Sequence, residues 1–219
     1  MTLPSPATRK SLLKKLAEAY PNPRSELNFS NEYELVAAVV LSAQCTDKKV
    51  NEVTPELFRR FPSFKALAEA SLVELEGIIR PINYYKTKSK NLIGLGERVT
   101  KEFGGVLPVT EHDLTSLPGV GRKTANVVLS EQGKTPAFPV DTHVFRVSKR
   151  LGLASGNTTD KVEEELRELF EPSMWRNLHH WLIFHGRRVC KAQSPLCTEC
   201  SLRRACPSAD SLAKKTKTS

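Results

Sequence analysis

Three sets of side chains in this chain have the types and spacing to do chemistry. The first is built around Lys123, which follows the turn Leu117-Pro118-Gly119-Val120-Gly121 by two residues. Glycine relaxes the steric limits on the backbone and lets another chain approach closely. A helical run from Arg122 to Glu131 follows, with Ala125, Val127, Val128 and Leu129 as its apolar content. A glycine-bounded turn that feeds a helix aims N–H groups outward, and these favour an anion such as a phosphate. With an apolar element ahead of it, the turn makes a helix-hairpin-helix, with Gly119, Val120, Gly121 and Arg122 as the candidates for gripping nucleic-acid backbone without reading bases. The plainer reading is an ordinary helix–helix connection. Lys123 lies in the first helical turn, at the positive end of the dipole and beside Arg122, and both features disfavour the ammonium form. A free lysine has a pKa of ~10.4, so reaching ~8 costs the charged form about 3 kcal/mol. Burial against a stacked base would supply much of that cost. A neutral amine there could attack a sugar C1′ and form a Schiff base. From the turn alone, the simpler reading is a lysine that pairs with phosphate as a point charge.

The second set is Val140-Asp141-Thr142-His143. Asp is a favoured N-cap, so on local grounds Asp141 starts a helix over Thr142–Leu151. The same dipole keeps its carboxylate ionised, and an ionised carboxylate stabilises a cationic sugar in a transition state. His143 beside it is assigned no catalytic role. The third set is Cys190, Cys197, Cys200 and Cys206, spaced C-x6-C-x2-C-x5-C. Four thiolates within 17 residues can close around a metal centre. Zinc and an iron–sulfur cluster both accept four cysteines, so the spacing leaves the two open. Cys45 stands apart and reads as a small buried hydrophobe. His179, His180 and His185 share a run with Trp175, Trp181 and Leu182 and read as packing or hydrogen-bonding groups.

The elements that must position these groups are helical. Leu12, Leu13, Leu16 and Tyr20 share one face of a first helix, and Asn31 with Glu34 makes a capping pair for Tyr33–Gln44. Asp47 is the expected cap of Lys48–Arg60. Further runs cover Phe64–Glu69, Leu72–Arg80, Lys86–Phe103, Val162–Phe170 and Met174–Val189. No stretch alternates with period two, so the fold class is all-α. The Pro-rich piece Thr135–Pro139 reads as a linker, and Pro21-Asn22-Pro23 as a second break. The acidic run Asp160–Glu171 reads as a solvated face.

Of the 219 residues, 39% are apolar and 26% charged, a globular composition large enough for one or two domains. The longest apolar run, Leu35–Leu41, is far too short to span a bilayer, and MTLPSPATRK has no apolar core for a secretory signal. The expectation is a soluble, cytoplasmic monomer. Net charge is +9, and six of those charges fall in residues 186–219. There Arg187, Arg188, Lys191, Arg203, Arg204, Lys214, Lys215 and Lys217 outnumber Glu199 and Asp210. That footprint suits a polyanion, with Lys214, Lys215 and Lys217 read as a solvated tail.

Taken together, LPGVGRKTANVVLS and VDTHVFRV resemble endonuclease III, a bifunctional DNA glycosylase and abasic-site lyase for oxidised pyrimidines. The resemblance extends over nearly the whole chain through ELNFS, Val40-Leu41-Ser42-Ala43-Gln44-Cys45-Thr46-Asp47, HHWLIFHGR and the four C-terminal cysteines. It implies a six-helix domain over residues 25–135 and a second domain of residues 1–24 with 136–219, holding DNA and the target base between them. It implies that the cysteines carry a 4Fe–4S cluster with a structural role. It also implies that Gln44 fills the gap left by the extruded nucleotide while the Ile82-Asn83-Tyr84 loop wedges the opposite strand.

Under that resemblance, Lys123 attacks C1′ of a flipped nucleotide, Asp141 stabilises the positive charge, and β-elimination breaks the strand. The chain departs from the family's pattern in three places. Asn83 stands where Gly is usual, and its tolerance of the left-handed conformation is expected to preserve the turn. Tyr84 stands where leucine is frequent and either stacks on the orphan base or packs in the core, which leaves the opposite-base preference open. The loop Lys191–Leu196 is less basic than the family's, with Arg203 and Arg204 expected to compensate. Two competing readings are an adenine-specific mismatch glycosylase, which lacks the lysine, and a non-catalytic helix-hairpin-helix DNA-binding module.

Overall fold

The structure is a computed structural model that describes residues 3–216 and, for side chains, residues 3–213. Lys217 and the side chains of Lys214 and Lys215, which make the expected basic tail, lie outside the described residues. Among the described residues the chain is helical, with no strand. In order, the helices are α1 (Pro6–Ala19), α2 (Glu32–Ser42), α3 (Asp47–Arg60), α4 (Phe64–Ala68), α5 (Leu72–Ile79) and α6 (Tyr85–Glu102). Then come α7 (Glu111–Ser116), α8 (Arg122–Gln132), α9 (Thr142–Arg150), α10 (Thr159–Leu169), α11 (Pro172–Arg188) and α12 (Ala209–Thr216). A single 3-10 turn, Arg203–Ala205, precedes α12. Neither this turn nor α12 announces itself in the sequence. The chain divides into two compact units, Ser25–Thr135 and a second made of Met1–Arg24 with Pro136–Ser219.

In the first unit α2 is the central element. Tyr33 and every residue from Leu35 to Leu41 are buried, so the helix is apolar all round and packs against α3, α6 and α8. Asn31 caps it by accepting from the Glu34 N–H at 2.9 Å, and the Glu34 carboxylate accepts from the Ser30 N–H at 2.6 Å. The helix stops at Ser42, two residues short of the expected end, because Gln44 adopts a left-handed φ of 54°. Thr46, not Asp47, caps α3: its hydroxyl accepts from the Lys49 N–H at 3.3 Å, and Asp47 moves into the first turn, where its charge suits the dipole. The unit holds seven helices rather than six, because the apolar element before the glycine turn is a helix in its own right, α7.

In the second unit α11 packs against α9 and α1. Leu12, Leu16, Val144, Val147, Leu178 and Leu182 meet in one core, and each such burial stabilises the fold by about 1.5–3 kcal/mol. Tyr20 lies one residue past the end of α1 but is buried in that core. Phe138 belongs to it too and is fully buried, so the Pro-rich segment is no free linker. Its prolines prevent a helix while its aromatic ring anchors the chain. The acidic helix α10 is also only partly solvated. Glu163 is buried and pairs with Arg167 at 3.3 Å, and the Glu165 carboxylate accepts from the Ser155 and Gly156 N–H groups. No helix among the described residues is long and apolar enough to cross a membrane.

Candidate active site and thiol cluster

The glycine turn joins α7 to α8. Thr110 caps α7 by accepting from the Asp113 N–H, and Arg98 donates to the Ser116 carbonyl at 2.6 Å, closing the other end of that helix. Gly119 has φ +78°, and a Cβ there would lie 2.9 Å from the Asn91 Cβ, so both the conformation and the space demand glycine. Gly121 differs. Its φ is −84°, a Cβ would meet nothing within 4 Å, and it serves as an N-cap with no side chain to offer. Gly121 therefore contributes no side-chain cap to the first turn of α8. Val120 is not an outward group as the sequence suggests: its side chain is buried and its N–H donates to the Leu117 carbonyl at 3.1 Å. It sets the turn from within. Arg122 is exposed and pairs with Glu111 of α7 at 3.2 Å.

Lys123 is exposed in the first turn of α8. The protein alone does not supply the burial expected around its amine. Asp141 is half-buried and is the N-cap of α9, with one carboxylate oxygen accepting from the His143 and Val144 N–H groups at 2.8 Å each. That leaves its other oxygen uncommitted to the cap. Arg146 donates to His143 Nδ1 at 3.1 Å, to the Gly186 carbonyl at 3.0 Å and to the Cys190 carbonyl at 3.1 Å. Burial pulls His143 below the ordinary histidine range, with Asp141 opposing that shift. A neutral imidazole accepting at Nδ1 supports the arginine.

Two loops flank the end of α2. Gln44 is exposed, and so is Tyr84, at 66% of its surface, which removes the core-aromatic reading of that tyrosine. Ile82 is only 2% exposed, so it anchors its loop in the core and cannot itself wedge into a partner. The left-handed residue in this loop is Tyr84, with φ 59°, rather than Asn83. The Asn83 side chain has another use, donating to the Gln44 carbonyl at 2.7 Å. Lys88, buried on α6, donates to the Leu41 and Ala43 carbonyls at 2.8 and 2.6 Å. Sequence reasoning missed it, because YKTKSK reads as a solvated charge run. Cys45 is half-buried, more accessible than expected.

Cys190, Cys197, Cys200 and Cys206 are free thiols that line one apolar cavity with Leu151 and Leu212. Burial, reinforced by the neighbouring thiols, pushes Cys200 and Cys206 above the ordinary thiol range. Cationic metal must displace those protons. No three Cys, His, Asp or Glu side chains among the described residues converge as ligands of a single ion would. Arg150 places an N–H 3.4 Å from the Cys190 sulfur and also donates to the Lys191 and Ala192 carbonyls, gripping the first cysteine loop. His185 bridges the Tyr20 hydroxyl at 3.2 Å and the Cys200 sulfur at 3.5 Å, and burial pushes it down to about 4. His179 meets the Pro139 carbonyl at 2.8 Å, a hydrogen-bonding role as expected. Arg203 and Arg204 are exposed beside this loop, though Arg203 is partly engaged by Asp210 at 3.5 Å.

Residues 37–172 match the model of the HhH-GPD superfamily of base excision DNA repair proteins. Endonuclease III of Bacillus subtilis is 44% identical over 204 residues, which cover 93% of this chain and 93% of that protein. A solved non-covalent endonuclease III–DNA complex superposes with a TM-score of 0.89 at 40% identity, covering 96% of this chain and 99% of that one. A trapped endonuclease III–DNA covalent intermediate, with an estranged adenine, gives 0.88 at 41% identity over 94% of this chain and 98% of that one. The chain belongs to the endonuclease III family of helix-hairpin-helix base excision DNA repair proteins.

Proposed function

We propose that this chain removes oxidised pyrimidines from duplex DNA and cleaves the strand at the resulting abasic site, with Lys123 as nucleophile and Asp141 as the stabilising carboxylate. The activity class is that of its family: a DNA glycosylase and abasic-site lyase. The observation that carries the residue assignment is the exposed Lys123 in the first turn of a helix whose N-cap, Gly121, has no side chain to offer. A phosphate of the damaged strand can take the anion's place at Gly119 and Gly121, which puts the amine next to the sugar it must attack. The extruded nucleotide supplies the desolvation that the protein does not.

The free amine of Lys123 attacks C1′ as the bond from C1′ to the base nitrogen breaks, and the base leaves with a proton. Asp141, held by its two cap hydrogen bonds, faces the developing cation with a fixed negative charge. The sugar ring opens to an imine on Lys123, which acidifies the C2′ proton. Loss of that proton breaks the C3′–O bond, and the 3′ phosphate leaves. Water then hydrolyses the imine and frees the lysine.

The four cysteines are assigned to a 4Fe–4S cluster. When bound, it cross-links the loop over Cys190–Cys206 and so fixes the exposed Arg203 and Arg204 for phosphate contact. The four thiols lining one cavity support a shared metal centre, and membership of the endonuclease III family favours the cluster over a single zinc. Gln44 is assigned to the space of the extruded nucleotide, and Tyr84 to the opposite strand, stacked on the orphan base. The chain acts as a monomer, in the compartment that holds DNA. A duplex with one thymine glycol tests the reading: release of the base together with a 3′ strand break supports it. An intact strand after base release would reduce the chain to a simple glycosylase, and binding without either product would remove the enzyme.

A further inference from the structure

The two loops assigned to the duplex are joined by the side chains of Asn83 and Lys88. Gln44 ends the α2 turn with φ 54°, and Tyr84 opens α6 with φ 59°. Neither is glycine, and a left-handed residue of this kind persists only where its surroundings hold it. Two hydrogen-bonding groups supply that hold. Lys88 reaches from α6 to the carbonyls at the end of α2, Leu41 and Ala43, where the helix dipole is negative and the last carbonyls lack partners. Its burial pulls the amine below the ordinary lysine range, so a charge in that place depends on those two oxygens. Asn83 then donates across to the Gln44 carbonyl itself, at 2.7 Å. The residue whose side chain is exposed on one loop is thus tied through its own backbone to the neighbour of Tyr84 on the other.

We propose that Lys88 and Asn83 are positioning residues, a clasp that holds the Gln44 and Tyr84 loops as one preorganised wedge for opening the duplex. The inference rests on the reading of Gln44 and Tyr84 as duplex-filling groups. It gives Asn83 a purpose that glycine could not serve, since glycine has no side chain with which to bridge the loops. Asn83 does not sit at positive φ, so Asn83→Gly removes the bridge without relieving any strain.

Two substrates separate positioning from chemistry. Excising a stacked lesion from a duplex requires the wedge, whereas cleaving a preformed abasic site in single-stranded DNA does not. In single-turnover assays, Asn83→Gly should slow duplex excision by about fivefold, the size of one net hydrogen bond, and leave single-strand cleavage unchanged. Lys88→Met should slow duplex excision by about 30-fold, as a charged donor with two acceptors implies, and Lys88→Arg should restore most of it. A duplex with 2-aminopurine beside the lesion should show a matching loss of unstacking fluorescence. In a Gln44→Ala background, Asn83→Gly should add less than its fivefold loss, because one of the two groups it positions is gone. Equal losses on both substrates, or undiminished duplex excision by Asn83→Gly while Gln44→Ala is defective, would overturn the clasp alone. Undiminished duplex excision by Gln44→Ala would overturn the wedge reading and the clasp with it.

Discussion

Two helices in this chain begin in opposite ways. α9 starts at Asp141, whose carboxylate takes the His143 and Val144 N–H groups at 2.8 Å. α8 starts at Gly121, which has no side chain with which to cap it. The two N-termini carry similar partial positive charge. At α9 the protein supplies its own anion and fixes it in place; at α8 it leaves room for one brought from outside. The same dipole thereby does two jobs. In the proposed mechanism the first carboxylate stabilises a cationic sugar, and a phosphate at the second N-terminus sets Lys123 beside that sugar.

The contrast can be broken at either helix. The largest effect is expected at Asp141. Asp141→Asn keeps an oxygen for the cap and removes the charge, so single-turnover excision should fall by about 100-fold. A thermal melt should barely move, whereas Asp141→Ala loses the cap as well and should cost about 1 kcal/mol of stability. Wild-type excision by the asparagine variant would mean the carboxylate only caps. Next comes Gly119→Ala, which forces a side chain into a left-handed position 2.9 Å from the Asn91 Cβ. It should destabilise the fold by about 1–3 kcal/mol and weaken DNA binding, checked by denaturant titration and a binding isotherm. The smallest and most discriminating change is Gly121→Asp, where φ and space both admit a side chain. A carboxylate there would make α8 start as α9 does. Stability should rise by a few tenths of a kcal/mol while DNA affinity drops about fivefold. If both quantities moved in the same direction, the open N-terminus would not be an anion site.

What the sequence discloses follows from how local each cause is. Asp141 and Asn31 are legible as caps because cap and helix are adjacent in the chain. The helices are legible because their apolar spacing is local too. Thr46 was masked by Asp47, since both are good caps and only backbone geometry picks one. Phe138 looks like part of a linker because the prolines around it forbid a helix, yet its burial is decided by α1, α9 and α11. Ile82 looks like a wedge by its place in the loop, but the core claims it. Lys88 is the least visible of all. Its partners lie 47 and 45 residues away and are backbone carbonyls, which carry no sequence signature. The cysteine quartet is the reverse case, because its residues are close in sequence and chemically distinctive; their lining of one cavity was foreseeable from spacing.

The central claim is that the amine at the open end of α8 becomes covalently joined to the sugar. Borohydride reduction of the enzyme on a thymine-glycol duplex, followed by proteolysis and mass mapping of the adducted peptide, tests it most directly. The sugar remnant should sit on Lys123, and Lys123→Ala should form no adduct while still binding the duplex. A remnant mapped to any other residue, or an adduct that survives in the alanine variant, would contradict the account.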